Sequence, residues 1–200
     1  MINKIIYRPI KEIKQILISR NTITESGNGL IPAAVMIVIK YFKDCNYILF
    51  IKRPDVEWDP FSGHMAFPGG KNKKEDKDLL ETAYRETLEE TGIDLKINGQ
   101  LLGRLDDCKP NNPMARNIVV TPYISYLDKK VSIIPNYEVD EALWIPISHL
   151  KNESNLEILY KSRDGKIIED YNYRFNDYVI WGMTGRVLHQ FLELFSELFD

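Results

Sequence analysis

Runs of apolar residues along this chain predict several β-strands. The runs at 33–41 and 47–52 are rich in β-branched and aromatic residues, and the turn-forming segment 43–46 separates them, which is typical of a hairpin or of neighbouring strands. Further strands of the same kind are predicted at 97–104, 117–126 and 142–147. The predicted strands therefore lie on both sides of a central helical pattern.

Helical periodicity predicts three helices, at about 9–19, 78–91 and 179–199. The first has Pro9 in its opening turn, where proline is tolerated, and carries Ile10, Ile13 and Leu17 on one apolar stripe. The second is followed by Gly92, which is well placed to end it. Strands before and after a central helix, with another helix at the end, predict a mixed α/β sandwich.

Two segments fall outside these elements. Residues 54–70 contain three prolines and three glycines, which predict a long loop without regular structure, and loops of that length in a compact domain are usually functional. Residues 148–172 are polar and mixed, and no element is assigned to them. At 200 residues, the chain is expected to form a single domain over 1–200.

Composition narrows the class of protein. The hydrophobic fraction of 44% is that of a globular protein, and two cysteines, Cys45 and Cys108, are too few for a disulfide framework or a structural zinc site. No signal-peptide pattern and no apolar run of ~20 residues is found, so we expect a cytoplasmic protein that does not enter a membrane. The net charge of −3 gives no indication of nucleic-acid binding.

The charges are unevenly distributed. Residues 75–90 carry a net charge of −5, which leaves +2 for the rest of the chain. The acids from Glu75 to Glu81 are expected mostly to lead into the central helix and to favour its positive N-terminal end. The denser group further along the helix needs a different explanation.

Three carboxylates share one side of the central helix. Glu86, Glu89 and Glu90 fall within an arc of about 100°, because positions i, i+3 and i+4 are neighbours. Like charges so close repel one another, and Arg85 with bound divalent cations would compensate them. Oxygen ligands of this kind suit Mg²⁺ or Mn²⁺ together with substrate phosphates. A solvated acidic face is the alternative.

The apolar side of the same helix is expected to face the core. The residues predicted to pack there occupy the adjoining arc: Leu80, Ala83, Tyr84, Thr87 and Leu88. The helix would then present its carboxylates away from the core.

The residues around this helix resemble a known motif. Phe67-Pro68-Gly69-Gly70-Lys71 precedes Arg85-Glu86-Thr87-Leu88-Glu89-Glu90 and Gly92-Ile93, and the stretch of about 70–93 resembles the Nudix box. The spacing from Gly70 to Arg85 is one residue longer than the family pattern, and Asp76 and Asp78 straddle the place of its early glutamate. The resemblance implies an α/β/α sandwich with a mixed sheet and a loop-helix-loop catalytic motif.

The resemblance also implies an activity and a site. Nudix enzymes use divalent metal, here Mg²⁺ or Mn²⁺, to hydrolyse nucleoside diphosphates linked to another group. Glu86, Glu89 and Glu90 would be metal ligands, Glu86 could assist deprotonation of the nucleophile, and Arg85 would orient the carboxylates. Glu138, in a loop before the strand around Trp144, is a further candidate ligand. Candidates for binding the substrate are Lys52, Arg53, Lys71, Gly69 and Gly70, the cations for its phosphates and the glycines for close backbone approach.

Segments outside the box resemble the coenzyme A pyrophosphatases of that family. These are 49–53, 63–70, 102–106 and 181–185. The second arginine of that signature is replaced here by Trp58, and the gap from Arg53 to Gly63 is one residue too long. Trp58 and Phe61 are candidates for stacking on adenine. For His64, a structural role is favoured over contact with the substrate.

The expected substrate is therefore coenzyme A or a derivative, cleaved to a phosphopantetheine species and 3′,5′-ADP. The alternatives are ADP-ribose, dinucleotide polyphosphates or nucleoside triphosphates, and, in another class, a non-catalytic nucleotide-binding module. The expected partner is a small nucleotide-type molecule, with no nucleic acid and no membrane, and the chain is a candidate homodimer.

Overall fold

The computed structural model describes residues 2–57, 61–110, 115, 117–163 and 166–199. Its main sheet runs in the order β3-β2-β1-β6-β5, with β4 also paired to β1 and β7 to β2. The strands are β1 Ile31–Phe42, β2 Cys45–Lys52, β3 Met65–Ala66, β4 Gly69–Lys71, β5 Gly99–Arg104, β6 Ile118–Leu127 and β7 Glu141–Pro146. The pairing of β1 with β6 is parallel, and the other pairings of this sheet are antiparallel. The sheet is therefore mixed, as predicted.

Alternation along β1 places apolar side chains on both faces of the sheet. Ile37 and Ile39 belong to a first buried cluster, while Ala34, Met36 and Val38 belong to a second. Because successive side chains of a strand point to opposite faces, one strand contributes to two cores. A central strand buried on both faces requires helices on each side.

Helices cover the two faces. The first cluster is completed by residues of α1 (Ile2–Ser19) and α5 (Gly182–Phe195), and the second by residues of α2 (Leu79–Thr91) and the segment after it, where the one-turn helix α3 (Leu95–Asn98) lies. The arrangement is the α/β/α sandwich that was expected. The single domain over 1–200 stays a prediction, although the first cluster joins α1 and α5 in one core.

The polar segment 148–172 contains structure that the sequence did not reveal. After the short helix α4 (Ile147–Leu150) and a 3-10 turn at Glu153–Asn155, the strands β8 Leu156–Arg163, β9 Lys166–Phe175 and β10 Tyr178–Ile180 form a second antiparallel sheet in the order β10-β9-β8. Since one face of this sheet carries polar residues, its strands lack the apolar runs that were used to find the others. Buried Tyr173 and Ile180 tie it to the first cluster.

Several boundaries differ from those predicted. The C-terminal helix starts at Gly182 rather than at 179, because 178–180 pair with β9, and it ends in a 3-10 turn at Ser196–Phe199. The N-terminal helix starts at Ile2 rather than 9. Residues 97 and 98 end α3, which Asp94 caps, rather than starting a strand. The predicted loop 54–70 contains β3 and the start of β4.

None of the helices in the described ranges combines the length and apolar character needed to span a membrane.

The packing of α1 yields a testable prediction. Ile13 is fully buried in the first cluster, whereas Ile18 on the same helix is exposed. We expect Ile13→Ala to lower the free energy of unfolding by about 2–4 kcal/mol, through lost burial and the cavity left behind. The matched control Ile18→Ala should change it by less than about 0.5 kcal/mol. Urea denaturation measures both, and equal effects would contradict the packing of α1 on this core.

Candidate active site

The strand β4 approaches two elements too closely for any side chain larger than hydrogen. It pairs with β1 so that Gly69 lies opposite Val35 and Gly70 opposite Ala34. A Cβ at Gly69 would lie 2.4 Å from the Ala34 carbonyl oxygen, and one at Gly70 would lie 2.6 Å from the carboxyl carbon of Glu86. Gly69 is therefore required by its close approach to the β1 backbone, whereas Gly70 leaves room for the Glu86 carboxylate; both bring the backbone against the carboxylates of α2.

Local signals fix the ends of α2. The Asp78 side chain accepts a hydrogen bond from the backbone N–H of Glu81 at 2.9 Å, which caps the N-terminus. Gly92 adopts φ 72° and donates its N–H to the Leu88 carbonyl at 2.9 Å, which ends the helix. The predicted helix is thus confirmed as Leu79–Thr91, with Asp78 as its cap.

The orientation of α2 differs from the prediction. Glu86 and Glu90 are only 8% and 3% exposed, whereas Leu88 is 45% exposed. The expectation that Leu88 packs in the core, with the carboxylates turned away from it, is wrong. The buried stripe of the helix instead comprises Thr82, Ala83, Glu86, Thr87, Glu90 and Thr91. Two carboxylates therefore lie on the buried side, and Glu89 lies at its exposed edge.

Arg85 joins three carboxylates. Its Nε and Nη2 donate to Asp76 Oδ1 and Oδ2 at 2.8 and 2.9 Å, and its Nη1 donates to Glu86 at 2.6 Å and to Glu89 at 3.1 Å. Nη2 also reaches the Lys71 carbonyl oxygen at 3.3 Å. Such charge-assisted, two-pronged contacts hold both partners in a defined geometry.

Asp76 has a role that the sequence did not reveal. The Arg85 guanidinium holds the pKa of Asp76 well below its usual range, and the Lys73 N–H and the Thr82 hydroxyl also donate to this carboxylate at 2.9 Å. Asp76 in turn raises the pKa of Arg85. Asp76 was expected to interact favourably with the positive N-terminal end of the helix, as one of the acids that precede it. The structure assigns that role to Asp78 and makes Asp76 the principal partner of Arg85.

Glu90 is the most strongly perturbed carboxylate of the group. Its pKa is raised to about 8, mainly by burial and also by the nearby charges of Glu86 and Glu138. A hydrogen bond from the Gly69 N–H to its Oε2 at 2.8 Å and the charge of Arg53 act in the opposite direction. The structure therefore brings Glu138 and Arg53, both candidate site residues, close enough to Glu90 to influence its ionisation.

The donor set suits a hard divalent cation. Within the ranges that the structure describes, no three His, Cys, Asp or Glu side chains are already disposed as a metal site. However, Glu86 and Glu90 are buried and close together, and ionising both at once is unfavourable without positive charge beyond that of Arg85 and Arg53. Together with Glu89, they offer the oxygen ligands that Mg²⁺ or Mn²⁺ prefers.

A cavity of about 660 Å³ shares the β4 glycines with these carboxylates, although Glu86, Glu89, Glu90 and Glu138 are not among the described residues that line it. Gly69, Gly70 and Lys71 form part of its wall, and Arg53 and His64 line it as well. It thus gathers four of the five predicted substrate-binding residues. Lys52 is not brought there, because its Nζ binds Asp140 at 2.8 Å and Asp55 at 3.3 Å.

The opposite wall comes from the C-terminal part of the chain, which sequence reasoning did not assign to the site. It includes Lys161 and Asp170 of the second sheet, joined at 2.7 Å, and Trp181 and Met183 at the start of α5. The one sequence signal for this wall was the segment 181–185, which resembles a segment of the coenzyme A pyrophosphatases. Trp58 lies outside the described residues.

The three histidines occupy different environments. His64 lines the cavity and packs edge-on against Trp181, with ring centroids 4.5 Å apart. His189 stacks on Tyr171 and bonds the Tyr173 hydroxyl at 2.7 Å, and burial lowers its pKa. His149 contacts the Arg174 carbonyl oxygen. Among them, His64 is the one positioned at the candidate site.

Comparison with known proteins identifies relatives of this chain. The family model for the NUDIX domain matches residues 30–171. An uncharacterized Nudix hydrolase, NudL, from Photorhabdus laumondii is 32% identical over 71% of this chain and 74% of its own length. The human mitochondrial coenzyme A diphosphatase NUDT8 is 28% identical over 82% of this chain and 69% of its own length.

The fold is also found among solved structures. A MutT/nudix family protein from Enterococcus faecalis superposes with a TM-score of 0.60 at 18% identity, covering 92% of this chain and 68% of that one. At this identity the likeness concerns the fold alone.

The burial of Glu90 predicts a pH-dependent stability. Because its folded pKa of about 8 lies above the ordinary value of 4.5, the folded state holds the proton more tightly than the unfolded state, and ionisation destabilises the fold as pH rises from about 5 to 8. In EDTA, Glu90→Gln should become more stable than the wild type over this range, by roughly 2–4 kcal/mol at pH 8. Gln can still accept the Gly69 N–H.

Thermal and urea unfolding at several pH values measure this difference. Glu81→Gln, which removes the same charge from the same helix, is the matched control and should show a difference within about 0.5 kcal/mol. Mg²⁺ should raise the melting temperature of the wild type more than that of Glu90→Gln. Parallel stability curves for the wild type and Glu90→Gln would contradict the burial of an ionisable group.

Proposed function

The chain belongs to the Nudix family of hydrolases, and on this basis we propose that it hydrolyses the diphosphate linkage of a nucleoside diphosphate derivative with Mg²⁺ or Mn²⁺. The observation that carries the proposal is the pair of buried carboxylates, Glu86 and Glu90, which contact the β4 glycines, while the same glycines line a large cavity. A pair of buried like charges beside a cavity lined by cations suits a metal-bound polyanion better than a structural role.

The proposed metal ligands are Glu86, Glu89 and Glu90, with Glu138 as a further candidate from its loop. A divalent cation bound there would neutralise diphosphate charge and lower the pKa of bound water. Glu86 is a candidate for accepting a proton from the attacking water. Arg85 acts as a positioning residue, because it fixes Glu86 and Glu89 while Asp76 fixes Arg85.

The proposed phosphate contacts are Arg53 and Lys71, both in the cavity wall. Arg53 offers the planar guanidinium fork and Lys71 a point charge. The backbone at Gly69 and Gly70 allows the substrate to lie close to the carboxylates, since no side chain intervenes. Lys52, which is tied to Asp55 and Asp140, is not included.

Coenzyme A or a derivative is the proposed substrate, with a phosphopantetheine species and 3′,5′-ADP as products. Support comes from the segments that resemble coenzyme A pyrophosphatases and from the similarity to a protein named as a coenzyme A diphosphatase. ADP-ribose, dinucleotide polyphosphates and nucleoside triphosphates remain the alternative substrates. We propose the cytoplasm as the compartment, because both cysteines are free thiols.

The test compares coenzyme A, ADP-ribose and dATP as substrates of the purified protein, with Mg²⁺ and with EDTA. We expect Mg²⁺-dependent cleavage of coenzyme A, which separates 3′,5′-ADP from the phosphopantetheine species on chromatography. Glu90→Gln should lower kcat by roughly 100-fold or more, because a metal ligand is lost where several kcal/mol of charge stabilisation are needed.

Glu81→Gln is the control, since this residue lies on the same helix and binds Lys96 rather than the site. It should retain the wild-type rate. Cleavage of ADP-ribose or dATP without cleavage of coenzyme A would overturn the substrate while preserving the reaction class. Nucleotide binding without turnover in any arm would indicate the non-catalytic binding module instead.

A further inference from the structure

The part of the cavity wall that comes last in the sequence lies outside the residues that the NUDIX family model matches. The NUDIX model ends at residue 171, whereas Trp181, Gly182, Met183, Thr184 and Val187 all line the cavity. The start of α5 therefore completes a pocket whose other wall is formed by β4 and the loop before it. A segment beyond the shared domain is well placed to decide which substrate enters.

Trp181 is the largest side chain of that segment and is unusually accessible. It occupies the N-cap position of α5, and its side chain makes no capping hydrogen bond. The residue is 44% exposed although it lines a cavity. A large aromatic surface left accessible inside a pocket is typical of a ligand contact, because a planar ligand would remove it from water.

Trp181 packs against a ring from the loop before β3, and that ring packs against a second one. His64 packs edge-on to Trp181 at 4.5 Å between centroids, and Phe61 packs edge-on to His64 at 6.0 Å. The three rings thus form a row along the cavity wall. An edge-on neighbour restrains the indole without covering its whole face, so the indole is held ready for stacking.

Resting on the proposed function, we propose that Trp181 is the stacking platform for the adenine base of the substrate. The diphosphate would lie between the α2 carboxylates and the cations Arg53 and Lys71, and the base would extend across the cavity to the indole. Met183 and Val187 supply apolar surface next to it. Stacking suits adenine because its flat π-face needs no particular hydrogen-bond partner.

The test combines ligand binding with kinetics. Without metal, 3′,5′-ADP should quench tryptophan fluorescence in the wild type and in Trp144→Phe, but not in Trp181→Phe. Trp144 is the matched control, because it lies on β7, contacts Lys40 and does not line the cavity. Phosphopantetheine, which lacks the base, should leave the fluorescence unchanged.

In the kinetic arm, Trp181→Leu should raise KM for coenzyme A about ten-fold and leave kcat within about twofold, as expected for lost binding rather than lost chemistry. Trp181→Phe should restore most of the affinity, since it keeps an aromatic ring. Quenching that persists in Trp181→Phe, or that follows phosphopantetheine instead, would overturn the proposal. If 3′,5′-ADP binds at Trp181 but coenzyme A is not cleaved, the proposed function fails and the base platform stands.

A second surface carries an independent inference. β8 is the outer strand of the second sheet, and its free edge meets no other strand in the described part of the chain. Ile158 and Tyr160 of β8 and Ile167 of β9 are exposed large hydrophobic residues. By the register of the hairpin, Ile158 and Tyr160 share one face with Ile167. An open edge beside an apolar face is a site for pairing with another strand.

The sequence of β8 is complementary to itself in the antiparallel direction. When two copies pair about Leu159, Glu157 of each lies opposite Lys161 of the other, and Ile158 lies opposite Tyr160. Opposite charges and an aliphatic–aromatic pair are favourable cross-strand neighbours. Each charge also has a partner within its own sheet, Arg174 for Glu157 and Asp170 for Lys161, so the pairing would extend existing ion pairs.

We propose that a second copy of this chain pairs along β8, forming a two-fold symmetric dimer with a six-stranded sheet. The same patch meets itself in such a dimer, as closed two-fold symmetry requires. One strand edge with a small apolar face predicts a weak, concentration-dependent association.

Charge reversal tests the register directly. Sedimentation over a concentration series should show a dimer for the wild type, whereas Glu157→Lys and Lys161→Glu should each raise the dissociation constant at least about ten-fold. The double variant Glu157→Lys with Lys161→Glu restores opposite charges across the edge and should restore the dimer. A monomeric wild type, or a double variant as weak as the single ones, would overturn the proposal.

Discussion

The site depends on the ion pair between Arg85 and Asp76. The carboxylate of Asp76 accepts hydrogen bonds from both Nε and Nη2 of Arg85. Nη1 remains available and donates to Glu86 and Glu89. Asp76 belongs to the segment before α2 and Arg85 to the helix itself, so the pair locks the loop onto the helix. Without Asp76, the guanidinium would keep only its contacts with Glu86, Glu89 and the Lys71 carbonyl oxygen, and its orientation would be less restrained.

The second constraint is the absence of side chains at Gly69 and Gly70. Strand β4 lies between β1 and α2 with its backbone close to both, and the Gly69 N–H donates to Glu90. Burying Glu86 and Glu90 under this strand costs stability as long as both are charged. The same burial would strengthen the proposed cation binding, because charges in a partly dehydrated site interact strongly with a cation. Stability and function therefore make opposite demands on α2.

The C-terminal third of the chain completes the cavity that begins at strand β4. The second sheet and α5 share an apolar cluster with the main sheet, so they pack against it. Their polar and aromatic residues complete the cavity that starts at the β4 glycines. A ligand in that cavity would touch residues more than a hundred positions apart, from Gly69 to Trp181. The carboxylate helix and the far cavity wall thus come from separate elements of the chain.

The sequence by itself determined the class of fold, most of the main-sheet strands, the limits of α2 and the grouping of its glutamates. These features follow from short-range rules: runs of β-forming residues, helical periodicity and the Gly92 stop. Only the tertiary structure decided that Leu88 faces solvent while Glu90 is buried. It also decided that Asp76, rather than Asp78, pairs with Arg85. Finally, it placed Trp181 in the cavity wall and Lys52 outside it. Each of these depends on which elements pack against one another, and that packing is set by sheet pairing and burial between distant segments, which no local pattern encodes.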